Sequence, residues 1–110
     1  MENILTDENF EKQINAADKF VLVDFFATWC EPCSILAPIL EKTVKNFSDK
    51  IILIKANVDD IPATAQKFGA ERIPMVIMFK NGKQIGSFVG LIPENAIQGW
   101  LENILKENIK

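Results

Sequence analysis

Three apolar runs along the chain have the character of buried β-strands. They are FVLVDFF at residues 20–26, IILIKANV at 51–58 and MVIMFK at 75–80. Their β-branched and aromatic residues are almost unbroken by polar ones, which is typical of strands covered on both faces. Asn81-Gly82 follows the third run and is a strong hairpin signal, so residues 83–89 are predicted to return antiparallel to it.

Apolar residues at helical spacing precede and follow the first of these strands. Thr6 is predicted to cap an N-terminal helix, because its hydroxyl can accept a hydrogen bond from the first turn. The inner face of that helix carries Phe10, Ile14 and Ala17. A second helix is predicted over residues 32–47, where Pro38 is expected to introduce a kink.

Two more helical segments complete the pattern. One covers residues 62–68 and ends at Gly69, and the other covers about 94–107, with Trp100 predicted to lie in the core. The order α-β-α-β-α-β-β-α predicts an α/β fold with a central mixed β-sheet, parallel strands plus an antiparallel hairpin, flanked by helices on both faces. Sites in such sheets lie where a parallel strand leads into the next helix.

Length and composition narrow the class of protein. The 110 residues fit one domain over 1–110, and a hydrophobic content of 48% suffices for one core. A net charge of −3 argues against nucleic acid as a partner. The N-terminus lacks the basic and apolar regions of a signal peptide, and no apolar stretch approaches the roughly 20 residues of a membrane span. We therefore expect a cytoplasmic protein with no membrane partner.

Both cysteines stand in the stretch ATWCEPC at residues 27–33. Cys30 falls at the start of a helix, where unpaired N–H groups and the helix dipole favour a thiolate and lower the thiol pKa. Cys33 lies nearly one turn further on, close enough to form a disulfide with Cys30 but more buried. Pro32 suits the first helical turn and stiffens it. The spacing therefore predicts an exposed nucleophile and a protected resolving thiol.

Two other uses of the cysteine pair remain open. A zinc site needs four ligands, and the chain has two cysteines and no histidine, so only a dimer sharing two pairs could hold zinc or a [2Fe–2S] cluster. A purely structural disulfide across so short a loop would remove little entropy from the unfolded chain. Redox chemistry without a metal or other cofactor is the favoured interpretation, because close cysteine pairs in cytosolic proteins are seldom structural.

Asp24 interrupts the first apolar strand on the side of Leu22 and Phe26. Burial there would raise its pKa, and the carboxylate could then accept a proton from Cys33, directly or through water. A surface or capping aspartate is the alternative. Lys55 on the neighbouring strand could lie near Asp24 and temper that rise, or it could be an ordinary solvated lysine whose stem covers apolar surface.

Four segments resemble the thioredoxin family in order and spacing. They are VDFFATWCEPC, APIL, RIPMVIMFKNG and the region of Gly90, and the resemblance runs from about residue 5 to about residue 106. It implies a thioredoxin-like fold and a monomeric protein-disulfide reductase that uses the Cys30–Cys33 dithiol and no external cofactor. It also implies two kinds of partner, disulfide-containing client proteins and a thioredoxin reductase that restores the dithiol.

The resemblance further implies how clients are bound. The Ile73–Pro74 bond is expected to be cis and to pack against the cysteines, although few X–Pro bonds are cis. The backbone of Ile73 would then pair with an extended client segment as an added strand. An exposed apolar docking patch is expected from Trp29, Ile61, Ile73, Pro74, Gly90 and Leu91. Asp24 stands where thioredoxins carry an aspartate.

Four positions depart from the usual family residues, although none removes a reacting group. Glu31 replaces glycine, Phe26 tryptophan, Ser34 an often-found lysine, and Met75 threonine. We hypothesise that Glu31 disfavours the Cys30 thiolate and so makes the protein a stronger reductant. Met75 beside the proline could alter the fit of clients.

Three rival functions share the same motif. A dithiol oxidant or isomerase is disfavoured, because the chain lacks a signal peptide and a histidine in the motif. A non-catalytic binding module could use the apolar face as an accessory subunit, and it would keep its partner after alkylation of Cys30. A dedicated electron donor to one host enzyme also fits, with Glu31 or Met75 as its specificity marks.

Overall fold

The computed structural model describes residues 5–15 and 18–108. The helices are α1 (Phe10–Asn15), α2 (Glu31–Val44), α3 (Pro62–Lys67) and α4 (Glu94–Asn108), and the strands are β1 (Phe20–Phe26), β2 (Ile51–Asn57), β3 (Met75–Lys80) and β4 (Lys83–Val89). A short 3-10 turn at Lys45–Phe47 extends α2. The predicted order of elements is confirmed, and the bounds of β1, β3 and β4 agree with those predicted.

Within the described ranges the four strands form one mixed sheet in the order β2-β1-β3-β4. β1 and β2 are parallel and are connected through α2, whereas β3 is antiparallel to both β1 and β4. The β3–β4 hairpin turns at Asn81 and Gly82, whose φ angles of 53° and 77° match the turn that this pair favours. The predicted mixed sheet with an antiparallel hairpin is therefore confirmed.

Helices cover both faces of this sheet, which explains why the strands are apolar on both sides. On one face α2 and α4 pack against Leu22 and Val76. On the other face α1 and the segment around α3 cover an aromatic cluster whose ring centroids lie 5.4–6.3 Å apart. The cluster comprises Phe10, Phe25, Phe68 and Phe79.

The N-terminal cap is a reciprocal pair of hydrogen bonds. The hydroxyl of Thr6 accepts from the N–H of Asn9 at 3.1 Å, and Oδ1 of Asn9 accepts from the N–H of Thr6 at 2.8 Å. This arrangement confirms the cap predicted at Thr6. Phe10 and Ile14 are buried as predicted, whereas Ala17 lies outside the described residues.

The residues predicted to shape the helices are Trp100 on α4, Gly69 after α3 and Pro38 in α2. Trp100 packs against the core as predicted but is only half-buried, and it lies edge-to-face on Phe88 with ring centroids 5.1 Å apart. The indole therefore adds to the core from one side while part of it stays exposed. Gly69 has a φ of 72° and follows α3, which confirms the predicted stop. Pro38 lies inside α2, and the kink there stays a prediction.

Candidate active site

The cysteine pair lies where β1 leads into α2. Cys30 is the N-cap residue of α2, and its Sγ accepts a hydrogen bond from the N–H of Cys33 at 3.3 Å. The two residues form a disulfide, with Cα atoms 5.3 Å apart, a separation usual for such bonds. An N–H directed at sulfur at a helix start stabilises negative charge there. The position therefore suits a sulfur that alternates between disulfide and thiolate.

Cys30 is less accessible than the sequence predicts, whereas Cys33 is buried as predicted. Cys30 is 6% exposed and Cys33 is 3% exposed. The predicted order of exposure holds, but the expectation of an openly exposed nucleophile is wrong. Cys30 and Cys33 pack with Ala27, and side chains of the neighbouring loops, including Ile73, close over this cluster. A client disulfide must therefore reach a sulfur that its neighbours largely cover in the disulfide form.

The residues between the cysteines form the first turn of α2. Glu31 and Pro32 are both exposed. Pro32 needs no N–H partner at this position, and an acid at the helix start is favoured by the helix dipole. The hydroxyl of Ser34 donates a hydrogen bond to the carbonyl oxygen of Glu31 at 2.7 Å, which helps to fix the turn.

Asp24 is a buried acid in the middle of β1. It is 1% exposed, and neither carboxyl oxygen has a hydrogen-bond partner within the described part of the chain. Burial raises the pKa of Asp24 to about 6; Lys55 opposes this rise and Glu41 adds to it. The predicted burial is confirmed and the surface alternative is excluded. Because Leu22 packs on α2 and side chains alternate along a strand, Asp24 faces the helix that carries Cys33.

Lys55 is the register partner of Asp24 on β2. Its Nζ lies 3.8 Å from Oε2 of Glu41 and 5.1 Å from the centroid of the Phe26 ring. The prediction that Lys55 lies near Asp24 and lowers its pKa is confirmed. The contact of Glu41 with Lys55 was not predicted from the sequence. Helical spacing places Glu41 next to the buried Leu40, at the edge of the buried face of α2, and this position could have indicated a role near the site.

The predicted apolar patch divides into exposed and buried members. Trp29 is 71% exposed and Leu91 is 44% exposed, whereas Ile73 is half-buried and Pro74 is buried. Ile61 is 0% exposed and belongs to the core on the far face of the sheet, so its predicted place in the patch is wrong. Apolar character alone could not separate a core isoleucine from a surface one.

Two loops meet beside the cysteines. The Ile73–Pro74 bond is cis, as the family resemblance implied, and Ile73 packs against the cysteine cluster. The N–H of Gly90 donates to the carbonyl oxygen of Pro74 at 2.7 Å, which ties the loop before β3 to the loop after β4. Gly90 has a φ of 93°, a conformation that favours glycine.

Asp59 joins the site although the sequence did not predict it. Nε1 of Trp29 donates a hydrogen bond to Oδ2 of Asp59 at 2.9 Å, and the N–H of Asp59 donates to Oδ1 of Asn57 at 2.9 Å. These bonds hold the exposed indole beside the disulfide. The topology could have indicated this contact. β1 and β2 are parallel, so Asp59 after β2 lies at the same edge of the sheet as the cysteines after β1.

Two observations concern metals and membranes. In residues 5–15 and 18–108, no three or more acidic, thiol or imidazole side chains come together where they could hold a metal ion. None of the helices in the same ranges has the length and apolar character that a bilayer crossing requires.

Comparison with known proteins identifies the family. The family model named Thioredoxin matches residues 2–103. A thioredoxin of Rickettsia bellii (strain RML369-C) is 41% identical over 94% of this chain and 98% of its own length. A thioredoxin of Alicyclobacillus acidocaldarius subsp. acidocaldarius is 41% identical over 93% and 96%. One of Buchnera aphidicola subsp. Acyrthosiphon pisum is 43% identical over 91% and 94%.

Thioredoxins are protein-disulfide oxidoreductases, and the structure contains their CxxC pair, Cys30 and Cys33, at disulfide distance. The match covers nearly the whole chain and includes every element of the sheet and of the site. The chain therefore belongs to the thioredoxin family.

Proposed function

We propose that this chain, as a monomeric single domain over residues 1–110, reduces disulfides of cytoplasmic client proteins and is itself returned to the dithiol by a thioredoxin reductase. The observation that carries the proposal is the Cys30–Cys33 disulfide at the start of α2, with the buried carboxyl of Asp24 on the strand that α2 covers. The disulfide is itself the redox group, so the reaction needs no external cofactor. Trp29, Ile73 and Gly90 form the surface that binds the client, and the buried Pro74 supports it through the hydrogen bond that its carbonyl accepts from Gly90.

In the first step the thiolate of Cys30 attacks one sulfur of the client disulfide. A bond forms between Sγ of Cys30 and that sulfur, the client disulfide breaks, and its second sulfur leaves as a thiolate that takes a proton from solvent. The N–H of Cys33 supports the attacking charge, since it already points at Sγ of Cys30. The backbone of Ile73, a half-buried residue, would align the client as an added strand.

In the second step Cys33 gives its proton to Asp24 and attacks Sγ of Cys30. The intramolecular disulfide forms, the mixed disulfide breaks, and the client leaves with two reduced sulfurs, so two electrons have passed from the dithiol to the client. With a pKa of about 6, Asp24 is mostly ionised at neutral pH yet is a stronger base than an ordinary carboxylate. The reductase then supplies two electrons to restore the dithiol.

Trapping the intermediate tests this sequence of steps. Cys33→Ser is expected to accumulate covalent complexes, because Cys30 can still attack a client but no second thiolate can release it. Complexes from a cell extract are separated without reductant and identified by mass spectrometry, and a thioredoxin reductase is expected among the captured proteins. The control is the double variant Cys30→Ser/Cys33→Ser. Equal capture by both proteins would contradict the proposal.

Glu31 is expected to make the protein more reducing. Its exposed carboxylate stands beside Cys30, so replacing it should favour the thiolate and stabilise the dithiol over the disulfide. Glu31→Gly should raise the reduction potential by about 10–20 mV, a small change because solvent screens an exposed charge. Glu31→Gln separates the charge from the added freedom of glycine and should give most of the rise. An unchanged or lowered potential in glutathione equilibration would refute this role.

A further inference from the structure

Lys55 lies between the buried carboxylate of Asp24 and the partly exposed carboxylate of Glu41. It is the register partner of Asp24, and neighbouring strands are about 4.8 Å apart, so its stem starts beside the buried carboxyl. Its Nζ nevertheless lies 3.8 Å from Oε2 of Glu41 and 5.1 Å from the centroid of the Phe26 ring. No protein donor in the described ranges reaches either oxygen of Asp24. The ammonium is therefore directed to Glu41 and not to Asp24.

We propose that Glu41 is a positioning residue that, with the ring of Phe26, holds the ammonium of Lys55 away from Asp24 and keeps the buried carboxylate unpaired. The inference rests on the proposed function, in which Asp24 accepts the proton of Cys33. A carboxylate that is already paired with a cation is a weak base, because the cation stabilises its charged form. Glu41 thus preserves the basicity of a group that it does not touch.

The position of the ammonium reflects a competition between two environments. Pairing with Asp24 would gain strong attraction in the interior but would strip water from the ammonium. Pairing with Glu41 leaves the ammonium partly hydrated, since both side chains are partly exposed. The face of the Phe26 ring adds a cation–π contact on the same side. These two contacts favour the outer position.

Few charged groups face Asp24. From β2 the charged group is Lys55, and from α2 it is Glu41; Cys33, on the buried face of that helix, is part of the disulfide and carries no titrating thiol in this form. From β3 the register partner is Val76, which carries no charge. Burial raises the pKa of Asp24 most; Lys55 lowers it and Glu41 raises it. Loss of the Glu41 charge should therefore lower the pKa of Asp24 in two ways. It removes a nearby negative charge, and it releases Lys55, whose ammonium can then approach Asp24.

Titration of Asp24 tests the positioning role without any catalytic step. The carboxyl carbon of Asp24 is followed by NMR in the full-length disulfide form of the wild type and of Glu41→Gln. The pKa of Asp24 is expected to fall by about one pH unit in the variant, since a cation brought close to a carboxylate lowers its pKa. The matched control is Glu94→Gln, which removes a comparably exposed glutamate whose carboxylate lies 3.4 Å from Lys42. That control should leave the titration of Asp24 unchanged.

A double-variant comparison shows whether Glu41 acts through Lys55. Glu41→Gln is repeated in a Lys55→Gln background, where the expected fall in the pKa of Asp24 is less than half of that in the wild-type background. An equal fall in both backgrounds would overturn the inference, because Glu41 would then act only as a distant charge. Absence of any fall in the wild-type background would overturn it too.

The pH dependence of mixed-disulfide resolution separates this inference from the proposed function. Release of a small thiol attached to Cys30 is followed from pH 4.5 to 8 in the wild type and in Glu41→Gln. The acid limb of the profile is expected to move to lower pH together with the pKa of Asp24. A lowered pKa with an unmoved profile would support the role of Glu41 and would overturn the role of Asp24 as the proton acceptor.

Discussion

Replacing Cys30 by serine is expected to abolish disulfide reduction, with a loss of at least about a thousandfold in turnover. The attacking species is a thiolate, and a serine hydroxyl keeps its proton even at a helix start, so the first bond to the client cannot form. The measurement is the reduction of a protein disulfide such as insulin, driven by a reductase or by a small dithiol. Retained turnover in Cys30→Ser would overturn the assignment of Cys30 as the nucleophile.

The matched control for this loss is Cys33→Ser. It also lacks turnover, but it should still perform one attack and end as a mixed disulfide, whereas Cys30→Ser should form none. Both variants replace a buried sulfur by a smaller hydroxyl, so differences in folding largely cancel. Thermal unfolding of each variant against the reduced wild type checks that both are folded. Mixed disulfides formed by Cys30→Ser but not by Cys33→Ser would reverse the two roles.

Replacing Asp24 by asparagine is expected to stabilise the disulfide form at neutral pH by about 2–3 kcal/mol. Asp24 is 1% exposed, and its carboxyl oxygens have no hydrogen-bond partner in the described part of the chain, so its charge is costly to bury. Asparagine has nearly the same shape and carries no charge. The free energy of unfolding is measured in urea at pH 7.5, where the variant should need more denaturant to unfold.

The sign of this effect follows from the two pKa values. The folded-state pKa of Asp24 is about 6, above its ordinary value of 3.8. Between these values the folded protein holds a proton that the unfolded chain has released, so stability falls as the pH rises through this interval and stays low above it. The gain in Asp24→Asn should therefore be full above about pH 6.5 and nearly absent at pH 4.

An exposed aspartate provides the control for this prediction. Asp49 lies on the surface after the 3-10 turn, and Asp49→Asn should change stability by less than about 0.5 kcal/mol at either pH. An equal gain for Asp24→Asn at pH 4 and pH 7.5 would show that packing, and not the buried charge, is responsible. Slower disulfide reduction in Asp24→Asn would add the functional cost that the proposed proton transfer requires.

The local parts of the fold and of the site could be predicted from the sequence. The bounds of β1 and β3 follow from runs of β-branched and aromatic residues, and the hairpin follows from Asn81-Gly82, because these preferences act between near neighbours in the chain. The disulfide could be predicted from the spacing of the cysteines. Two cysteines that are three positions apart at the start of a helix have their sulfur atoms within bonding distance. Burial of Asp24 followed from its place inside an apolar strand.

The family resemblance supplied what local patterns could not. The cis bond before Pro74 is uncommon for any X–Pro pair, and no feature of residues 73–74 alone distinguishes it. The expected contact of Ile73 with the cysteines also came from the resemblance, because it joins parts of the chain about 40 residues apart.

The chain sequence by itself determined which residues can react and where its strands run, since both depend on residue type and short spacing. Only the tertiary structure decided how open Cys30 is, which face of the sheet buries Ile61, and that Asp59 holds the indole of Trp29. It alone placed Glu41 beside Lys55, across from the buried acid. These contacts join elements that are far apart in the sequence. They depend on how strands and helices pack in three dimensions, and patterns among neighbouring residues do not reveal that packing.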